Sequence, residues 1–358
     1  MTTQLPAYAI VSPIKDEADS LEGTIRAVVD QTHQPLRWVI VDDGSTDGSA
    51  EIARRWADRH DWIEAVDSGE VAARGRGGPV VRAFKRGLAE LESLPLEFVA
   101  KMDGDVVVPG HYFAWVAATF AREERAGIVG GLVHVPSARG WVPDRVSRRA
   151  VHGCVKSYRL RCLEDIGGLP ESMGWDGIDE YAARARGWES FVLTELMVLH
   201  YKPRGSKQRW WRARWEEGRG AHFMGYRPEF LCVRAAYRMI FETPPVIGGL
   251  LLLAGFAWAT LRGAPCVSDA AAVRILRDEQ RARLRALARG RSRPQPVPAG
   301  GGPAFWHLAA DGQESDPVRQ RPRPRQLSQD PPPDGYGSSV SGFGHQPDAP
   351  PGRPGSVT

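Results

Sequence analysis

The sequence predicts an α/β fold with a mostly parallel central sheet, followed by C-terminal helices and a disordered tail. From residue 5 to about residue 200, short apolar runs alternate with amphipathic segments, and polar turns separate them. Strand and helix in this rhythm are typical of a parallel sheet covered by helices. The 358 residues are 42% hydrophobic and 25% charged, the composition of an ordinary globular protein.

The elements of this sheet can be taken in chain order. Continuous apolar runs predict strands at residues 8–11, 38–41, 63–66 and 98–102. Apolar residues at helical spacing predict helices between them, at residues 20–30, 49–59 and 80–92. A further helix is expected from Asp176 towards Gly187, and an apolar strand after it is expected to end at His200.

The chain changes character after residue 200. Residues 200–245 interleave arginine and lysine with tryptophan, and an uncharged run follows at 243–261. That run is long enough for a marginal membrane span, but two prolines open it and glycines interrupt it. Residues 270–293 predict an arginine-rich helix, and the Pro/Gly-rich chain from 294 onward predicts disorder. The expected domains are therefore 1–205, 206–293 and 294–358.

Net charge, the cysteine pattern and the N-terminal residues indicate which partners and which cellular compartment to expect. A formal net charge of +4 does not by itself imply nucleic acid. The four cysteines form no paired pattern, so we expect reduced, mostly buried thiols in a cytoplasmic compartment. The first residues lack a basic segment followed by an apolar core, and we expect no secretory signal. The basic aromatic stretch suits a membrane surface, ordinary packing helices or nucleic acid, and the apolar run beside it favours the membrane.

The most informative motif is Asp103-Gly104-Asp105, which follows a predicted strand. Two carboxylates one residue apart point the same way from an extended backbone. Like charges this close repel each other unless a cation lies between them. A divalent cation bound to a phosphate would supply that charge. For the motif alone, a polar turn that closes the strand is the alternative.

Two further polar turns follow the first two predicted strands. Their candidate residues are Pro13, Asp16 and Glu17 in the first turn, and Asp42, Asp43, Gly44 and Ser45 in the second. An acidic pair after a strand can accept hydrogen bonds from a nucleotide base or a ribose. A turn that Asp47 or Ser49 caps, with no ligand, is the alternative. Function in parallel sheets lies at the carboxyl ends of strands, where all three turns are expected.

Together these turns resemble the motifs of glycosyltransferase family 2, which has the GT-A fold. The resemblance covers residues 5–200, extends weakly to about residue 260, and rests on four ordered motifs, at 12–17, 41–49, 102–105 and 166–180. It implies a bacterial-type, inverting, metal-dependent transferase that uses a nucleotide-diphosphate sugar. By resemblance, Asp105 and Asp103 would hold Mg²⁺ or Mn²⁺ against the diphosphate. Asp103 could also act through water or the ribose, and the first two turns would bind the nucleotide.

The resemblance also implies a general base. Counting back from Gly187, the Glu-Asp pair of the family falls on Trp175 and Asp176, so Trp175 departs from the family pattern. Asp176 would deprotonate the acceptor hydroxyl. Asp179 or Glu180, one helical turn further on, is the runner-up. The structural alternative for Asp176 is that it caps the helix.

Two more site residues are expected at the end of the last strand. Some enzymes with this fold place a third metal ligand on a histidine there, which makes His200 a candidate, and a structural histidine is the alternative. Beyond it, Lys202, Arg204 and Lys207 would clamp the diphosphate, with Arg204 as the chosen candidate. A solvated basic face is the equal alternative for these three residues.

The sequence therefore predicts a glycosyltransferase with a nucleotide-sugar donor and a lipid-linked or glycan acceptor, and no nucleic acid. We expect peripheral or single-pass association with the inner face of the cell membrane, with attachment by one face favoured. A sugar-nucleotide pyrophosphorylase is disfavoured because the first turn is not a Gly-rich basic loop. A non-catalytic membrane adaptor is disfavoured because Asp103, Asp105 and Asp176 are all present.

Overall fold

The computed structural model describes residues 5–69, 78–137, 140–144, 150–201, 210–241 and 245–289. These residues belong to one compact unit. The strands are β1 (Tyr8–Ile14), β2 (Arg37–Asp42), β3 (Ile63–Asp67), β4 (Phe98–Met102), β5 (Val106–Val107), β6 (Ala126–Ser137), β7 (Gly140–Pro143), β8 (Val155–Arg159) and β9 (Glu189–His200). The helices are α1 (Ala18–Val29), α2 (Ser49–Ala57), α3 (Gly78–Ala89), α4 (Tyr112–Arg122), α5 (Leu160–Asp165), α6 (Trp175–Ala185), α7 (Trp210–Phe223), α8 (Pro228–Phe241), α9 (Ile247–Leu261) and α10 (Ala270–Ala288).

The strands form one sheet in the order β3-β2-β1-β4-β8-β6-β9-β5, and β7 pairs with β6. The first four strands in this order are parallel. In the second half, β8 runs antiparallel to both β4 and β6, whereas β6 and β9 are parallel. The predicted α/β class, with helices at its C-terminal side, is confirmed.

The parallel register brings the predicted turns to one edge of the sheet. Ile14 at the end of β1 lies opposite Asp42 at the end of β2. β4 runs parallel to β1 and ends at Met102, directly before the acidic motif. On the other side, His200 at the end of β9 pairs with Val106, directly after that motif. Residues far apart in sequence therefore meet at a single edge.

Both faces of the sheet are covered by apolar side chains. Trp38 and Phe98 are among the fully buried residues of one core, and Val39 and Phe84 belong to the other. Gly87 lets α3 approach β1 and β2 closely, because a Cβ atom at this position would overlap the side chain of Val11. This packing holds the parallel strands, and hence their carboxyl ends, in fixed register.

The apolar run at 243–261 forms α9, which packs between α7 and α8. Gly218 in α7 and Gly255 in α9 permit this approach, because a Cβ atom at either position would overlap backbone of the other helix. The glycines that interrupt the run in the sequence therefore serve helix packing. Among the helices of the described residues, none is both long enough and apolar enough to cross a bilayer.

α10 packs against α6, where Ala272 and Leu276 join Ile178 and Ala182 in a small apolar cluster. Ion pairs flank this contact, with Arg186 and Asp269 2.6 Å apart. The domain boundary expected between residues 205 and 206 stays a prediction. The tail from residue 294 lies outside the described residues.

The four cysteines are all free thiols. Cys154 and Cys162 are buried, as the sequence predicts, but Cys232 and Cys266 are exposed. The expectation of mostly buried thiols is therefore wrong for half of them. Cys232 lies on the outer side of α8, and Cys266 lies in the connection between α9 and α10.

Candidate active site

The turn after β4 packs directly against the turn after β1. A Cβ atom at Gly104 would lie 2.9 Å from Cγ2 of Ile14 and 3.3 Å from Cγ of Glu17. The hydroxyl of Thr24 donates a hydrogen bond to the carbonyl of Gly104 at 2.9 Å. The turn after β4 can therefore lie this close to the turn after β1 only because residue 104 has no side chain.

The first and second turns are joined by hydrogen bonds in both directions. Asp16 has a positive φ of 52°, and its carboxylate accepts from the backbone N–H of Thr46 at 2.8 Å. Its own N–H donates to the hydroxyl of Ser45 at 3.0 Å. The N–H of Glu17 donates to the hydroxyl of Ser49 at 2.8 Å. Asp16 and Ser45 thus have a visible structural task, which is to hold the two turns together.

The acidic pair after β2 divides into two different environments. Asp42 is buried and accepts from both the N–H and the hydroxyl of Ser45, as in an Asx turn. Asp43 is half-buried and accepts from Ser68 at 3.3 Å. Burial is the main cause that raises the pKa of Asp43, against the opposing charge of Lys15. Asp43 is therefore the member of the pair that remains accessible to a ligand.

The acidic motif after β4 meets the end of β9. Ligand atoms of Asp103, Asp105 and His200 all lie within 4.8 Å of one another. Asp105 and His200 are 5% and 6% exposed, and Nε2 of His200 lies 3.4 Å from Oδ1 of Asp105. Nδ1 of His200 is buried without a hydrogen-bond partner. The sequence predicted these three residues as metal ligands, and the structure brings them together.

Burial and neighbouring charges raise the pKa of two members of this group. Burial, reinforced by the neighbouring charge of Asp105, raises the pKa of Asp103, although Lys101 acts in the opposite direction. Burial alone would lower the pKa of His200, but its contact with Asp105 and the charges of both carboxylates outweigh burial and raise it. Two carboxylates and one imidazole form a donor set that fits Mg²⁺ or Mn²⁺.

A second group of potential ligands adjoins the first. His152 and Cys154 share His200 with the acidic set, and their ligand atoms also lie within 4.8 Å of one another. A thiol is a soft ligand, so this group suits Mg²⁺ or Mn²⁺ less well than the oxygen-rich set. Neither residue belongs to a sequence motif. β8 and the segment before it bring them to the site, since the carbonyl of Cys154 accepts from the N–H of Asp103 at 2.7 Å.

Lys101 connects the acidic motif to α6, and sequence reasoning missed it. Its side chain is almost fully buried and pairs with the carboxylate of Asp103. Its ammonium also donates to the carbonyl of Gly153 at 2.8 Å and lies 5.4 Å from the centre of the Trp175 ring. The alternation of side chains along β4 could have indicated this contact, because residues 101 and 103 share one face of the strand.

Asp176 lies in the first turn of α6, next to this connection. A Cβ atom at Gly153 would lie 2.9 Å from Cβ and 3.0 Å from Oδ2 of Asp176. The N-cap of the helix is Gly174, so the interpretation of Asp176 as the cap is wrong. A carboxylate in the first turn is favoured in its charged form by the helix dipole. The structure thus places the predicted base close to the metal candidates through Gly153 and Lys101.

The two runner-up acids belong to a buried network on the same helix. Lys156 is fully buried, with its ammonium 2.8 Å from Asp179 and 3.1 Å from Glu180. Tyr158 donates to Asp179 at 2.7 Å. Burial is the main cause that raises the pKa of Glu180 to about 7. Both acids are buried and already paired, whereas Asp176 is only half-buried.

The remaining predicted residues have different positions. Pro13 is buried in β1, opposite Val41, and shapes the strand end from within. Gly44 has a positive φ of 74° and provides the sharp turn after Asp43. Arg204, with Lys202 and Lys207, lies outside the described residues, so its role against the diphosphate stays a prediction.

The sheet edge, its three turns and the acidic group can now be compared with known proteins. Residues 9–161 match the model of Glycosyl transferase family 2. The chain carries a family 2 glycosyltransferase domain. The predicted family and the transferase class of the domain are therefore confirmed. The match includes Asp103 and Asp105 and ends before α6, so Asp176 and His200 lie beyond the matched residues of the transferase domain.

Similarity to individual proteins extends further along the chain. Glycosyltransferase AglE of Haloferax volcanii is 25% identical over 207 residues, which are 52% of this chain and 63% of AglE. S. aureus TarS 1-349 in complex with UDP-GlcNAc has a TM-score of 0.49 at 18% identity, covering 83% of this chain and 98% of TarS 1-349. Mannosyltransferase PcManGT from Pyrobaculum calidifontis, in complex with GDP-Man and Mn²⁺, has a TM-score of 0.47 at 19% identity, covering 80% and 83%.

Proposed function

We propose that this protein transfers a sugar from a nucleotide-diphosphate donor to a hydroxyl or phosphate of a lipid-linked or glycan acceptor. The observation that carries the proposal is the group of Asp103, Asp105 and His200 at the sheet edge of a family 2 domain, with Asp176 close by. Mg²⁺ or Mn²⁺ bound there would neutralise the charge that develops on the diphosphate leaving group. The match to a family 2 glycosyltransferase domain favours sugar transfer over the main alternative, a sugar-nucleotide pyrophosphorylase.

The protein's own residues would divide the work as follows. Asp105, in the turn before β5, and His200, at the end of β9, provide buried ligand atoms, and Asp103 completes the set while Lys101 holds its carboxylate in place. Asp43 is the accessible acid for the ribose or base, because Asp42 is occupied with its own turn. Gly104 leaves room for the side chains of Ile14 and Glu17 at the first turn.

Asp176 would act as the general base. Its side chain is half-buried in the first turn of α6, where the dipole of the helix supports its charged form. A single base that deprotonates the acceptor hydroxyl, opposite the leaving diphosphate, implies one displacement and inversion at the anomeric carbon. Asp179 and Glu180 would instead fix the orientation of the helix that carries this base.

A membrane surface is the proposed setting for the acceptor. Large apolar side chains are exposed where the end of α8 and the start of α9 approach each other, and we call them the apolar tip: Ile240, Phe241, Val246, Ile247 and Leu250. Ile240 and Phe241 are 70% and 67% exposed. An exposed apolar patch of this kind supports attachment to a bilayer by one face.

The test is turnover of purified protein with a panel of UDP-, GDP- and dTDP-sugars and Mn²⁺. We expect release of the nucleoside diphosphate from one donor, with no release of pyrophosphate from sugar 1-phosphate and nucleoside triphosphate. Asp105→Asn should reduce donor turnover by at least about a hundredfold, since it removes a charged ligand. Asp58→Asn, an exposed acid at the C-terminal end of α2, is the matched control. Unchanged turnover in Asp105→Asn would refute metal-dependent catalysis at this site.

A further inference from the structure

An exposed aromatic pair lies at the rim of the candidate active site. The rings of Trp141 in β7 and Tyr201 directly after β9 meet edge to face, with centroids 5.3 Å apart and an angle of 85° between their planes. The two residues are 37% and 47% exposed. Two large aromatic rings that contact each other and still face solvent form a surface suited to binding a ligand.

The fold fixes this pair next to the proposed metal ligands. Tyr201 follows His200, and its backbone N–H donates to the carbonyl of Asp105 at 3.0 Å. Trp141 lies opposite Pro136 in the β6–β7 pairing, beyond the point where His134 pairs with Leu199 of β9. Both aromatic residues therefore extend from the same sheet edge as the acidic group.

We propose that Trp141 and Tyr201 form an aromatic platform for a pyranose ring of a glycan acceptor, which stacks on one ring and touches the other, because the two ring planes are nearly perpendicular. This inference rests on the proposed function and specifies its acceptor. A pyranose presents an apolar C–H face and a rim of hydroxyl groups. An indole or phenol ring matches both parts, because its face is apolar and its N–H or O–H can form hydrogen bonds.

The position of the pair favours the acceptor over the donor. A donor sugar is covalently linked to its diphosphate and so lies next to Asp105 and His200, whose side chains are buried. Trp141 and Tyr201 are exposed among the described residues, so a ring can reach them from outside after the donor has bound. A platform here would hold the acceptor sugar beside the donor and gain from proximity.

The same rings could contact the aliphatic chain of a lipid carrier, and the experiment separates the two ligands. Saturation-transfer NMR would use full-length protein with a panel of methyl glycosides and disaccharides, and with a short polyprenyl phosphate that carries no sugar. Trp141→Ala and Tyr201→Ala should each weaken binding of the best glycan by about tenfold, and Trp141→Phe should retain most of it. Trp258→Ala is the matched control, since Trp258 is a similarly exposed tryptophan on α9.

The experiment separates failure of this inference from failure of the proposed function. Donor turnover measured on the same samples reports on the transferase activity alone, and thermal unfolding shows that the variants are folded. Equal glycan binding by wild type and Trp141→Ala would overturn the platform while leaving the transferase intact. Binding of the sugar-free lipid alone, or of no glycan in the panel, would overturn it as well.

Discussion

Nε2 of His200 lies 3.4 Å from Oδ1 of Asp105, although the two residues lie far apart in the chain, one directly before β5 and the other at the end of β9. The contact exists because β9 pairs antiparallel with the two residues of β5, directly after the acidic motif. An imidazole and a carboxylate at this distance, both buried, provide a rigid pair of ligands.

This pair makes a prediction about metal binding that needs no knowledge of the substrate. His200→Ala should weaken Mn²⁺ binding by at least about tenfold, because one of the grouped ligand atoms is lost. Electron paramagnetic resonance of free Mn²⁺ measures the affinity directly. His134→Ala, a half-buried histidine in β6, should bind Mn²⁺ like the wild type. Equal affinity in the two variants would show that His200 is not a ligand.

The second prediction concerns the contact between turns. Gly104→Ala should destabilise the fold by about 1–3 kcal/mol, because its Cβ atom would overlap Ile14 and press on Glu17. Gly23→Ala is the control, since no atom lies within 4 Å of a Cβ atom there and alanine favours the helix. Urea unfolding compares them. A Gly104→Ala protein as stable as Gly23→Ala would mean that the turns do not pack as described.

The third prediction concerns pH. Burial is the main cause that raises the pKa of Glu180 from 4.5 to about 7. Between these values the unfolded chain has released a proton that the folded chain keeps, so stability falls as pH rises. Glu180→Gln removes this dependence. The unfolding free energy of the wild type minus that of the variant should therefore fall by about 1 kcal/mol per pH unit across this window. A difference that stays constant with pH would contradict it.

The fourth prediction tests the apolar tip. Ile240→Ser and Phe241→Ser should each weaken binding to vesicles of anionic phospholipid by roughly tenfold, because each removes a large exposed apolar side chain. Leu261→Ser is the control, as Leu261 is 84% exposed at the opposite end of α9. Co-sedimentation measures the bound fraction. If the tip variants and the control sediment equally, the tip does not face a membrane.

The parallel part of the fold could be predicted because its strands are continuous apolar runs. β4 begins and ends at the predicted residues, and β1 differs only in extending to Ile14. β6 was not predicted, because glycines interrupt its apolar run. The structure shows why they are there: a Cβ atom at Gly131 would lie 2.7 Å from the carbonyl oxygen of Leu196 in β9. A low strand propensity was outweighed by close packing between strands.

The residues of the candidate site also differ in whether the sequence could predict them. Asp103 and Asp105 could be found because they are adjacent in sequence and follow a strand. His152 and Cys154 could not, because their proximity to the acidic motif depends on how β8 pairs with β4, which no local pattern encodes. Asp42 was interpreted as a ligand-binding acid, and only the geometry shows that Ser45 occupies it. Sequence motifs therefore identified the acidic residues that follow the strands, whereas the residues that β8 brings to them could be found only from the strand pairing.

The contact between α6 and α10 limits how far this domain can be truncated or moved into a fusion protein. Residues 9–161 define the family match, yet Ile178 and Ala182 on α6 are covered by residues from α10. A shortened gene that stops before codon 270 would leave these apolar side chains facing water and the helix of Asp176 without its outer support. The smallest portable module for directed evolution or domain fusion would therefore extend to residue 289, well past the segment that family comparison recognises.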